Sequence, residues 1–241
     1  MSTTHAMSNQ RISFDRFDGK GVKVAVVDSG IDALAQQSAG FVRGVDLSLS
    51  SCGKVRTGVA ITDRVGHGTA CAGIIRSIAP AVELYSVRIL DEAMRADGRL
   101  LVAAIAWAIE EGMDVVNLSL GTEDASLRRD LLDICQYAMQ ADVIVVAAMT
   151  NRSAASYPAC LEPVISVGSQ DLPGKFDYIY RQGDMPECLA NGGRQRLRRA
   201  GGKDVWMGGN SFAAPRVTSI VALIREQSRG LSLQGVRAML G

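Results

Sequence analysis

Histidine is nearly missing from this chain: of 241 residues only His5 and His67 carry an imidazole. His5 lies in a polar N-terminal stretch. Any chemistry that needs a base titrating near neutral pH therefore has one candidate in the folded part, His67. Long apolar runs are missing too, and no stretch approaches the roughly 18 residues of a membrane span. The start, MSTTHAMSNQRISFDRFDG, lacks the apolar centre of a secretory signal. These absences argue against a membrane protein and give the expectation of a cytoplasmic one. Five cysteines, at 52, 71, 135, 160 and 188, form no CxxC pair and are odd in number, so no closed disulfide framework is expected and reduced thiols are. Cys71 follows His67 by four residues, but its setting, TACAGII, reads as helix packing, and no metal site is expected. A dominant charge is also lacking. The 26 Lys and Arg against 25 Asp and Glu leave a net +1, which gives no global field toward nucleic acid or membrane.

One local departure from that balance is NGGRQRLRRAGGK at 191–203, where Arg194, Arg196, Arg198, Arg199 and Lys203 occur with no acid. It reads either as a solvated loop or as a dock for an acidic partner at Arg194, Arg196, Arg198 and Arg199. A chain of this length can form one domain. Residues 1–20 read as a flexible tail and 21–241 as the domain. Within it, short apolar β-branched segments (22–27, 82–89, 114–120, 143–149 and 163–169) suit strands covered on both faces. Between them, 99–111 and 126–140 have helical period. Two more helices are expected, one from Ser211 and one after Ser232, a plausible N-cap. The alternation predicts an α/β fold: three layers, with a doubly wound, mostly parallel sheet flanked by helices. The stretch 171–207 breaks the alternation and is expected to form long loops or a hairpin.

Three segments each set a reactive residue beside glycine at the edge of an apolar element. They are VAVVDSG at 24–30 with Asp28, GHGT at 66–69 with His67, and GNSFAAP at 209–215 with Ser211. Asp28 ends a Val-rich run, so a rigid carboxylate faces the sheet's open end. An Asp-Ser-Gly also serves aspartic proteases, but they need a second such segment or a dimer, and no second one occurs here. Ser211 opens a helix in which Pro215 is tolerated in the first turn, and the helix dipole there favours developing negative charge. Asp, His and Ser are the parts of a nucleophilic acyl-transfer site. They stand 39 and 144 positions apart in sequence, so only the fold can bring them together.

VAVVDSGID, GHGTACAG, VVNLSLG, VIVVAAMTN with the later SYPA, and GNSFAAP together resemble the subtilisin-like serine proteases over residues 22 to about 225. The resemblance implies a triad in which Asp28 orients His67, His67 takes the proton of Ser211, and Ser211 attacks the scissile carbonyl. It implies an oxyanion hole from the Asn151 amide and the Ser211 backbone N–H. It also implies an extended peptide or protein substrate pairing with Ser119, Leu120 and Gly121 on one side and the edge containing Gly98 on the other.

This chain departs from the family pattern at four places. Asn210 stands where Thr precedes the nucleophile, and Thr150, after Met149, stands where Gly precedes the oxyanion Asn. Arg152 sits at the rim of the pocket for the residue before the cleaved bond, so a basic residue there is expected to be disfavoured and a small or acidic one tolerated. Residues 66–80 run on without the calcium-binding loop that relatives insert after the His, so no calcium at that site and no required cofactor are expected. About 20 residues precede the first strand, so no family propeptide is expected. The expected function is a serine endopeptidase with a restricted intracellular role, such as removing a leader from a peptide precursor. The alternatives are a weakly active pseudoprotease that binds, and an acyl-transferring macrocyclase on the same fold.

Overall fold

The computed structural model describes residues 14–32, 43–59, 62–150, 156–199, 201 and 203–241. A nine-stranded sheet runs through it in the order β3-β2-β4-β1-β5-β6-β7-β9-β8. Its members are β1 (Lys23–Asp28), β2 (Arg43–Leu49), β3 (Val55–Gly58), β4 (Glu83–Arg88), β5 (Val115–Leu118), β6 (Ile144–Ala148), β7 (Val164–Ser169), β8 (Tyr178–Tyr180) and β9 (Cys188–Ala190). All neighbours pair parallel except β2 with β3 and β8 with β9, the antiparallel edges. The central strands are the apolar runs legible in the sequence. Val24, Ala25, Val26 and Val27 are fully buried because both faces of β1 are covered.

Helices α1 (His67–Ile78), α4 (Asn210–Gln227) and α5 (Leu233–Leu240) close one face, packing with Val24 and Val26 into one core. Helices α2 (Arg99–Glu110) and α3 (Arg128–Gln140) close the other, with Ala25 and Val27. This is the expected three-layer arrangement. Ser232 caps α5, its hydroxyl accepting from Gly235 N. Helix α4 is central: thirteen of its residues, Phe212 to Ala214 and Val217 to Ile224 among them, are buried.

One expectation is met in one of its two forms and another needs correction. The segment 171–207 forms antiparallel hairpins, with more regular structure than its composition suggests. It supplies β8 and β9 to the main sheet and a separate ribbon of β10 (Gln195–Arg198) against β11 (Asp204–Met207). Strands of three or four residues are too short to show a period. The expected flexible tail to residue 20 fails for its last part. Phe14 is buried, Phe17 packs on the same core, and the Glu226 carboxylate accepts from Asp18 N and Gly19 N at 2.9 and 2.6 Å. Two aromatic rings seeking cover, each worth up to about 3 kcal/mol when fully buried, hold this stretch down. The earlier part of that tail, including His5, lies outside the described residues.

Candidate active site

Asp28 closes β1 at the end of the parallel sheet where open α/β folds place their ligands. It is fully buried. Its two carboxylate oxygens lie 2.8 and 2.9 Å from His67 Nδ1, and Oδ1 also accepts from Ser29 N at 2.7 Å. Gly68 makes this approach possible, since a Cβ there would stand 2.2 Å from the Gly30 carbonyl oxygen and 3.0 Å from Asp28 Cβ. A carboxylate against Nδ1 fixes the proton on that nitrogen and leaves Nε2 as the basic one. Burial works against a charged imidazole, but the Asp28 carboxylate outweighs it and raises the His67 pKa above its ordinary value.

Ser211 lies in the first turn of α4, after Gly209 with φ +124°, a conformation that side-chain-bearing residues rarely adopt. The next residue, Phe212, sets its ring 5.0 Å from the His67 ring. The fold thus brings the start of α4 against the start of α1 and the end of β1, joining residues that are distant in sequence.

Cys71 lies among them. Its thiol reaches Ser119 Oγ at 3.4 Å and the Ser211 carbonyl at 3.6 Å, and stands 4.0 Å from His67 Nδ1. Burial pushes its pKa up, which keeps it a neutral thiol. Asp28, His67 and Cys71 form the one group of three metal-type donors found among the described residues. Two ligands on one tetrahedral zinc would stand about 3.3 Å apart given its bond lengths. The 2.8 and 2.9 Å between His67 and Asp28 suit a shared proton better.

Asp63 is the residue that reading the sequence missed. Nearly buried, it accepts from Ser29 Oγ, Val65 N, Gly66 N, Thr69 N and Thr69 Oγ1 at 2.6 to 2.9 Å. Ser29 Oγ in turn accepts from Gly68 N at 3.1 Å. One carboxylate thus ties the segment after Asp28 to the turn carrying His67. Its signal was an acid four residues before the His, at the N-terminus of a helix. A second buried relay runs from Thr218 Oγ1 to Asn117 Oδ1 and from Asn117 Nδ2 to Ser119 Oγ, both 2.9 Å, fastening α4 to β5.

On the substrate side, Ser119 is buried in that relay, Leu120 packs on the core and Gly121 is exposed. Thr122 and Tyr157 exchange backbone hydrogen bonds of 2.8 and 2.9 Å, joining this segment to the one beyond Thr150. Ser156 lies between the two. Its hydroxyl accepts from Thr150 N at 2.9 Å and would stand 3.3 Å from a Cβ on Gly121. The Glu123 carboxylate accepts from Thr150 Oγ1 at 3.4 Å. Asn151 and Arg152 themselves lie outside the described residues. Gly98 is not on an extended edge. It caps α2 with helical φ and ψ of −61° and −22°, and a Cβ there would meet Leu127 at 2.0 Å, so it serves helix packing. A cavity of about 710 Å³ is lined by Ser29 and Val65 together with Ile89, Leu90, Asp91 and Asp97.

The arginine-rich stretch is the ribbon leading into Ser211. Arg196 and Arg198 both pair with Asp204, each at 3.2 Å, and Arg199 donates to the Val65 carbonyl. Gly201 N donates to the Asp32 carboxylate at 2.9 Å. The ribbon therefore touches the segments carrying Asp28 and His67 and continues into the third.

Residues 19–240 match the subtilase family, the S8 peptidases. The chain belongs to that family. It is a subtilisin-like serine endopeptidase, a hydrolase of peptide bonds. It is 32% identical to subtilisin BL of Lederbergia lenta over 238 residues, covering 91% of this chain and 81% of that one. It is 28% identical to subtilisin DY of Bacillus licheniformis, covering 95% and 86%. Among solved structures it resembles a cold-adapted subtilisin-like serine proteinase (TM-score 0.73, 23% identity, covering 92% and 81%). It also resembles a lanthipeptide protease (TM-score 0.74, 24% identity, covering 93% and 80%). At these identities the structural likenesses speak for the fold.

Proposed function

We propose that Asp28, His67 and Ser211 are the catalytic triad of this endopeptidase, and that Asn151 with the Ser211 N–H forms its oxyanion hole. The observation carrying this is the His67 ring. It is held at Nδ1 by both Asp28 oxygens and stands 5.0 Å from the ring of the residue after Ser211. In this reading His67 Nε2 takes the proton of Ser211 Oγ as that oxygen bonds to the scissile carbonyl carbon. The tetrahedral oxyanion is met by the donors at the start of α4, where the dipole is favourable. Collapse breaks the C–N bond, and the amine leaves with the proton from His67. Water, deprotonated by His67, then releases the acid and restores Ser211.

The natural role we infer is restricted processing inside the cell, such as cutting a leader from a peptide precursor. All five cysteines are free, as suits a reducing compartment. We place the residue before the cleaved bond beside Gly121 and Thr150, where the Ser156 hydroxyl would limit it to a small size. The neighbour described as a lanthipeptide protease makes peptide precursors a reasonable first substrate class to try. An acidic part of the substrate would lie along Arg194, Arg196, Arg198 and Arg199. The ion pairs to Asp204 are exposed on the arginine side, 70% and 48%, and such pairs are worth under about 1 kcal/mol, so they yield readily to a partner. The helix after His67 runs unbroken through Ile78, which does not fit a calcium loop inserted there, and the proposed steps call on no metal.

Labelling with a fluorophosphonate tests the triad. The native protein should be modified on Ser211, and Ser211→Ala should not. Well-folded protein that resists labelling would instead be a pseudoprotease. Incubation with a peptide library then reads the products. Fragments carrying one added water mean hydrolysis, a cyclic product without it means acyl transfer, and a profile dominated by Lys or Arg before the cut contradicts the proposed pocket.

A further inference from the structure

Asn210, the residue before the proposed nucleophile, completes the sheet with its side chain. Strands β6 and β7 are paired in parallel from Val145 with Val164 to Ala148 with Val167. The ladder continues one bond further, from Met149 N to the Val167 carbonyl at 2.9 Å. In a parallel ladder the next bond would run from Ser169 N to the Met149 carbonyl. The Asn210 carboxamide stands in that place. Its Oδ1 accepts from Ser169 N at 2.8 Å, and its Nδ2 donates to the Met149 carbonyl at 3.0 Å. A carboxamide carries the same donor and acceptor as a peptide group, so it satisfies both strand ends at once. The two strands are spread at this point, and α4 is fastened between them.

We infer that Asn210 is a positioning residue that sets the distance between Ser211 and the oxyanion-hole segment by wedging β6 from β7. The inference rests on the reading of Ser211 as nucleophile and Asn151 as oxyanion donor. Met149 is two residues before Asn151, and Asn210 is one before Ser211. One side chain therefore spans the two places from which charge-stabilising groups are supplied. Displacements of about 1 Å in such a constellation cost up to about a hundredfold in rate. The wedge also accounts for the departure from Thr at this position. A hydroxyl is one atom and presents donor and acceptor at a single point, whereas the amide presents them about 2.2 Å apart, matching two separate strand ends.

Asn210→Ala lets Ser169 N close directly on the Met149 carbonyl, so the sheet keeps its bond while the end of β6 at Met149 is no longer tied to the start of α4. Asn210→Asp keeps the acceptor for Ser169 N but turns an oxygen toward the Met149 carbonyl. The test compares kcat, KM, the fluorophosphonate labelling rate and Tm for both variants and the native enzyme. Expected are losses of about tenfold or more in kcat and labelling rate, with KM within about threefold and the Ala variant still melting near the native Tm. For Asn210→Asp, the ratio of its rate to the native rate should climb as the pH falls toward 5, because the protonated acid again donates to Met149. Each enzyme's His67 titration is read from its own full pH profile, because a carboxylate at 210 also favours the protonated ring, and the Asn210→Ala profile is the uncharged control. Native-like kcat in both variants, or a loss that follows Tm alone, overturns the wedge. Native enzyme that does not label at all overturns the triad reading and this one with it, and is recognised by the native control.

Discussion

Asp28, Asp63 and His67 are 0, 5 and 9% exposed and bond to one another's segments through backbone amides, hydroxyls and a ring nitrogen. The segments proposed to meet substrate are more open, although Ser119 and Ser156 in them are buried. Gly121 and Glu123 face solvent, Thr150 is half-buried, and Trp206 of the ribbon is 64% exposed. The difference separates two demands on one site. Proton transfer needs groups fixed within tenths of an ångström in a dry setting, and the half proposed to do it is made from strand and helix ends sunk in the core. Selecting a peptide needs a surface that water can leave and substrate can enter, so the other half is made from connections between elements. A mutation in the first half should strike rate or stability, and one in the second should strike preference.

The largest break in this contrast is His67→Ala. It should lower kcat by about 10⁶, the size known for subtilisin itself, while KM stays close to native. Asp28→Asn should cost roughly 10⁴ by the same reference. Stopped assays with a peptide p-nitroanilide read both losses.

Asp63→Ala comes next and acts through structure. It leaves the amides of Val65, Gly66 and Thr69 without this acceptor, at about 1 kcal/mol or more each. An overall loss near 3 kcal/mol would lower Tm by roughly 6–12 °C in a chain of this size, measured by calorimetry. An unchanged Tm would mean that water replaces Asp63 and that the rigid half is less rigid than described.

Activity and stability should also run in opposite directions with pH. The His67 pKa is raised in the folded state, so the stability gained from the Asp28 pair is fully present below the unfolded value of about 6.5. It is lost as the pH rises through the higher folded value. Catalysis needs the neutral ring and should rise over that same interval. Denaturant unfolding at several pH values, compared between native protein and His67→Ala, isolates the pair's share.

The smallest effect belongs to the substrate half. Ser156→Gly removes the hydroxyl between Gly121 and Thr150 and should shift preference toward larger residues before the cut, by about tenfold in kcat/KM ratio for a one- or two-carbon difference. Stability should fall by about 1 kcal/mol, because Thr150 N loses this acceptor. A fall in activity toward all substrates alike would place Ser156 in the rigid half instead.

Reading the sequence reached much of the first half and little of the second, and the reason is physical. Asp28 ends a strand buried on both faces, and His67 and Ser211 sit where glycines permit close approach, so local composition betrays them. Strand β2, exposed at Arg43 and Ser48 and half-buried at Gly44 and Asp46, has no continuous apolar run to notice. Strands β8 and β9 hold three residues each, too few for a pattern. Beyond its place four residues before His67, Asp63 carries no local signal, because its role depends on backbone amides of the turn after it and on Ser29, 34 residues away. Gly98 was placed by likeness and proved to serve Leu127. Asn210 stood out as an exception, but its reason lay in two strand ends 61 and 41 residues away.

The central claim is that Asp28 raises and orients a His67 base that activates Ser211. The most direct test is the rate of fluorophosphonate modification of Ser211 against pH, in native enzyme and in Asp28→Asn. The native rate should climb with a midpoint above pH 6.5. Asp28→Asn, without its carboxylate, should be far slower and have its midpoint lowered. A native rate independent of pH, or a midpoint that stays put when Asp28 loses its charge, would contradict the account.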